Sequence, residues 1–135
     1  MVRQKLADFK VRSKELQHNS YRVLTLISRG NQPGPEGSIS KLALGLLIQE
    51  MSNFALELQQ GSGLLLGEDA PGDGIWQESM MEIPCMRIAG GTDEIQRTII
   101  GERVLGLPPE RPVVRGTPFK EIPRDEDAVA SARAK

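Results

Sequence analysis

The residues best suited to chemistry stand together at Gly90-Gly91-Thr92-Asp93-Glu94. Two glycines allow backbone angles and close approaches that a Cβ forbids, and they immediately precede a marked helix start. Thr92 is a good N-cap, Asp93 and Glu94 put negative charge in the first turn, and Ile95 and Ile99 repeat at helical spacing. A Gly-Gly turn entering a capped helix offers free backbone N–H groups, commonly to an anion or a carbonyl oxygen. Most such helix starts are only tight turns. Other chemistry-bearing residues are sparse. His18 is the single histidine and Cys85 the single cysteine, so no paired set exists for a metal site or an internal disulfide. The acidic stretch Gly67 to Gly74 lacks the spacing and closing glutamate of a calcium loop and reads as solvated. Met80, Met81 and Met86 could line an apolar pocket, although filling gaps in a core is the commoner role of methionine.

These residues need a scaffold. With 135 residues, 39% of them hydrophobic, the chain can bury one modest core. Aromatic content of 4% and scarce β-branched alternation predict an all-α domain. Net charge is −1 with 17 basic and 18 acidic side chains interspersed, which gives no nucleic-acid footprint. No apolar run reaches the ~20 residues of a membrane span, and the cysteine content fits a cytoplasmic setting.

The first helix is predicted over Val2 to Ser28, with Leu6, Phe9, Ser13, Leu16, Ser20, Val23 and Ile27 on one stripe whose serines allow close helix approach. Its amphipathic pattern begins within a few residues of Met1, as in a helix entered partway along. Tyr21 is expected at a wet edge. Gly30 to Gly37 is a breaker, after which Ser38 is expected to cap a second helix running to about Gln60. There Leu44, Leu47, Met51, Phe54 and Leu58 form a stripe widened by Leu42, Leu46 and Ile48. So wide an apolar arc is buried on more than one side, centrally in a bundle or across a subunit interface. Gln60 to Gln77 reads as a second flexible zone. A short helix follows from Ile75 to Arg87, with Trp76, Met80 and Ile83 on one face and Pro84 breaking or kinking it. Gly106, Pro108 and Pro109 end the last helix. Residues 1–107 are thus expected to form a helical bundle and 108–135 a tail, extended from Arg111 to Arg124 and frayed beyond.

The string Gly91-Thr92-x-x-Ile95-Gln96-Arg97 resembles the C-terminal signature of the acyl-CoA dehydrogenase family, and Val104-Leu-Gly-Leu-Pro108 resembles the ending of many actinobacterial-type members. Pro35 to Leu42 is similar to the connection between long helices in the same subgroup. The resemblance covers roughly Arg3 to Arg124 and implies most of the C-terminal helical bundle, with the β-domain that binds the flavin ring expected outside these residues. It implies FAD as cofactor, an acyl-CoA substrate, a flavoprotein electron acceptor, and a homo- or hetero-oligomer of dehydrogenase chains. It places Gly91, Thr92 and Glu94 by the flavin, and Gln60 and Gly61, by a looser match, at its adenine half across the interface. Many members carry at position 90 the glutamate that removes the α-proton. Gly90 cannot serve as that base, and Asp93 and Glu94 are poorly placed to reach back. Its backbone N–H could still donate to the thioester carbonyl. No residue here is an evident base. Three readings stand side by side: part of a flavin-dependent dehydrogenase, inactive alone; a non-catalytic helical partner completing another dehydrogenase chain; or a generic helical interaction module.

Overall fold

The computed structural model describes residues 1–109 and 118–121. Within them the chain is all-α, with four α-helices and no strand. The helices are α1 (Val2–Ser28), α2 (Glu36–Gln59), α3 (Ile75–Ile88) and α4 (Asp93–Ile99), the last continued by a π-helical turn over Ile100–Val104. The predicted frayed end at 125–135, and most of the predicted strap at 111–124, lie outside the described residues; Phe119–Glu121 forms one 3₁₀ turn.

α2 is the hub. It packs antiparallel to α1, with Phe9 edge-on to Phe54 at 5.8 Å and Arg12 bonded to Glu50, and antiparallel to α3, where Gln77 donates to Gln59 at 2.9 Å. It also touches α4, so its wide apolar arc is explained by its central place. Leu47 is buried at its middle, while Leu44 and Leu58, at the ends of the predicted stripe, are exposed.

The contact face of α1 differs in phase from the predicted stripe. Phe9 is buried, and Arg12, Leu16, Asn19, Val23 and Leu26 are half-buried, whereas Leu6, Ser13, Ser20 and Ile27 are exposed. The serines do not mediate close approach. Their hydroxyls donate to the carbonyls of Phe9 and Leu16 one turn back, at 2.7 and 3.0 Å. Two polar residues take their place on the face because each finds a partner on α2. Arg12 pairs with Glu50, and Asn19 donates to Ser40 and to the Glu36 carbonyl.

Other boundaries also differ. α2 begins at Glu36 behind Pro35, whose fixed φ suits a helix entry, and Ser38 lies inside the first turn instead of capping it. Pro84 does not break α3, which runs on to Ile88. Proline forfeits one N–H bond, and packing of Ile83, 1% exposed, holds the helix through that gap. The segment predicted as flexible after Gln60 is organised as 3₁₀ turns at Gln60–Leu64, Gly67–Asp69 and Pro71–Gly74, around the buried Ala70. Among the described residues no helix is long and apolar enough to cross a membrane, and no cluster of three or more metal-binding side chains occurs.

Candidate functional site

Three helices meet at the Gly90–Gly91 turn. α3 ends at Ile88, the turn reverses through φ +69 at Gly90 and +102 at Gly91, and α4 begins behind Thr92. Both angles lie where a Cβ is unwelcome. The cap predicted for Thr92 is present: its hydroxyl accepts from the Ile95 N–H at 3.4 Å.

The carbonyl side of the turn is held by two donors from different helices. Gln96 of α4, buried, donates to the Gly90 carbonyl at 3.0 Å and to the Gly91 carbonyl at 3.4 Å. Lys41 of α2 donates to the Gly91 carbonyl and, at 2.9 Å, to the Arg87 carbonyl. The amide side is different. Among the described residues no acceptor faces the N–H groups of Gly91 or Thr92.

An ion pair fixes the base of the turn. Arg87 donates through Nε to Asp93 at 2.7 Å, through a second nitrogen to the same carboxylate oxygen, and through a third to Gln49 of α2. Asp93 is 4% exposed. The hydrogen bond from Arg87 pulls its carboxyl below the usual range against the opposing effect of burial, with Lys41 and Arg97 adding smaller contributions. Gly45 makes room for this pair, since a Cβ there would stand 3.1 Å from the Arg87 side chain. Glu94 is exposed, and hydrogen bonds from its own backbone N–H and from the Thr92 hydroxyl lower its pKa. Beside these residues lies an open depression of about 280 Å³ lined by Gln49, Ile83, Arg87, Ile88, Thr92 and Glu94, among others.

The structure therefore brings Gly91, Thr92 and Glu94 together, with Gly90 next to them. Gln60 and Gly61 are elsewhere. They sit at the far end of α2, about 28 Å along the helix from Lys41 at ~1.5 Å per residue. Both are exposed, and Gln60 holds φ 51, ψ −126, a conformation better suited to glycine. Sequence reasoning passed over Lys41, Gln49 and Arg87. Lys41 is the sole cation of α2, but it stands among three glutamates and several other polar residues, so the helix's composition did not single it out.

The arrangement compares with known proteins as follows. The family model described as "Acyl-CoA dehydrogenase, C-terminal domain" matches residues 1–105. The acyl-CoA dehydrogenase FadE34 of Mycobacterium tuberculosis is 31% identical over 87 residues, covering 64% of this chain and 11% of that protein. The acyl-CoA dehydrogenase IpdE1 of Mycolicibacterium smegmatis is 42% identical over 79 residues, covering 58% of this chain and 19% of that protein. The chain thus spans less than a fifth of the length of either relative. Among solved structures, the ChsE4–ChsE5 complex from Mycobacterium tuberculosis superposes with a TM-score of 0.70 at 25% identity, over 82% of this chain and 28% of the matched one.

Proposed function

Because the chain belongs to the acyl-CoA dehydrogenase family, whose C-terminal domain it matches, we propose that it forms the helical part of a flavin-dependent dehydrogenase acting on an acyl-CoA thioester. In this reading residues 1–107 are the bundle unit, working in a reducing cytosol beside other dehydrogenase chains. The observation that carries it is the turn at Gly90 and Gly91, with its carbonyls anchored and its following amides free beside an open depression.

The residues present fit one edge of a bound FAD. The N–H groups of Gly91 and Thr92 supply donors without side-chain charge, and Thr92 and Glu94 border the depression. Gln60 and Gly61, on the opposite end of α2, suit a different chain's cofactor or a distant part of the same one. FAD, when bound, supplies the hydride acceptor for dehydrogenation. These residues bind and orient, and the N–H of Gly90 can donate to a thioester carbonyl as charge develops on it.

Proton removal needs a base that this turn does not offer. Gly90 has no side chain, Asp93 is engaged by Arg87, and Glu94 is held back at its own helix start. We therefore assign the base to a part of the dehydrogenase outside these 135 residues, on an earlier helix or on a second chain, and expect the 135 residues alone to be inactive with an acyl-CoA, FAD and an electron acceptor. The structural neighbour is itself a complex of two different chains, which supports assembly with a second dehydrogenase chain. A purely structural partner role is the second reading, favoured by the missing base. Native mass spectrometry of the untagged chain from its own cells tests both. FAD together with a second chain is the expected result; a bare chain, or turnover by the purified chain alone, overturns the assignment.

A further inference from the structure

Lys41 is the sole cation of α2, yet among the described residues it forms no ion pair and spends its ammonium on two neutral main-chain carbonyls, one of them fifty residues further along the chain. Desolvating an ammonium is costly, and its contacts need a reason. The turn it holds supplies one. Gly90 and Gly91 both lie at positive φ, and nothing stands within 4 Å of where a Gly90 Cβ would be, so side-chain packing does not fix the backbone at that residue. The donors to its carbonyls do.

In a planar trans peptide the C=O and N–H point in opposite directions. Holding the Gly90 carbonyl through Gln96 turns the Gly91 N–H away from Gln96, and holding the Gly91 carbonyl through Lys41 turns the Thr92 N–H away from α2. We infer that Lys41 is a positioning residue: its ammonium locks the Gly91–Thr92 peptide plane so that the free N–H groups of the turn stand fixed for an acceptor oxygen of the bound cofactor or substrate. Asp93, clamped by Arg87, lies near enough for Lys41 to add a smaller electrostatic pull on its carboxyl. The catalytic part of this inference rests on the dehydrogenase reading above; the pinning of the turn does not.

The test uses the full chain labelled with ¹⁵N. In the wild type, backbone order parameters at Gly91 and Thr92 are expected near the ~0.85 of rigid helix, and in Lys41→Met they fall below about 0.6, with Lys41→Arg restoring them. Unchanged order in Lys41→Met overturns the inference. Should Lys41→Met not fold, the wild type decides: the Lys41 ammonium is expected to show slowed proton exchange relative to the exposed lysines, and ordinary exchange overturns the pin. In the FAD-loaded assembly that contains this bundle, Lys41→Met lowers kcat by about tenfold while KM for acyl-CoA stays within about twofold, and Lys41→Arg recovers most of the loss. Loss of order without loss of kcat refutes the catalytic role. Loss of order in a chain whose wild-type complex shows no turnover upholds the pin and removes the dehydrogenase reading instead.

Discussion

Replacing Asp93 by asparagine isolates the charge in the pair that fixes the turn. Asparagine keeps the shape and an acceptor oxygen for Arg87, and its amide takes the place of Oδ1, which is buried without a partner. What disappears is the negative charge. A hydrogen bond to a charged group contributes about 1.5–3 kcal/mol, and breaking a fully buried pair costs about 3–5 kcal/mol. Asp93 is 4% exposed but the Arg87 side chain is 32% exposed, so solvent screens one side of the pair. The lower range applies, and Asp93→Asn is expected to destabilise the full chain by about 2 kcal/mol, or roughly 6–10 °C in Tm for a domain of this size. The pH dependence has a definite sign. The folded-state pKa of Asp93 is depressed below its ordinary 3.8, so the contribution is complete above that value and is lost as pH falls through the depressed one. Thermal melting followed by circular dichroism, at equal chain concentration, should show the full gap between wild type and variant at neutral pH. That gap should narrow only below pH ~4. A double-mutant cycle with Arg87→Met should return a coupling of about 1–2 kcal/mol. Equal melting temperatures at neutral pH, or simple additivity in the cycle, would refute the clamp.

Further outcomes follow from the same geometry. Gly91→Ala is expected to cost about 2 kcal/mol or more, because φ is +102 and the new Cβ would stand 2.7 Å from Gln96 Nε2; Gly90→Ala, with open space around it, costs about 1 kcal/mol, and denaturant midpoints in the reverse order would contradict this. Glu50→Gln removes an ion pair whose partners are 45% and 28% exposed, so its effect should stay under about 1 kcal/mol despite the Arg12 hydrogen bond that lowers the Glu50 pKa, as urea titration can check. Among the described residues four hydrophobic side chains are buried and twenty large ones exposed, so the chain alone should self-associate in sedimentation velocity, and a monodisperse monomer would count against the partner-seeking reading.

Helix identity was legible where periodicity ran long. α1 matches its predicted span and α2 nearly so, because apolar residues recur over many turns. Phase was harder to read: Arg12 and Asn19 occupy the buried face of α1 because Glu50, Ser40 and the Glu36 carbonyl await them, and those partners lie on another helix. Pro84 misled for a related reason, since local propensity favours a break while tertiary packing of Ile83 sustains α3. At the site, the turn and its Thr92 cap could be read from adjacent residues. Lys41, Gln49 and Arg87 could not, because they come from two other helices and share no spacing with the turn. Their relation exists only once α2 and α3 lie antiparallel.

The π turn at Ile100–Val104 alters how the chain's ending should be compared with its relatives. Its signature bond runs from the Leu105 N–H to the Ile100 carbonyl at 3.0 Å, which fits one extra residue into a single turn. In alignment terms this is a one-residue insertion that leaves no gap in the sequence itself. The helix ends with this wider turn, and Gly106 at φ +69 leads the chain out of it. The Leu107 N–H returns to the Gly101 carbonyl at 2.9 Å, so the Val-Leu-Gly-Leu ending folds back over its own helix. A relative with an unbroken helix here could share every letter of that ending and yet present those leucines to a different neighbour.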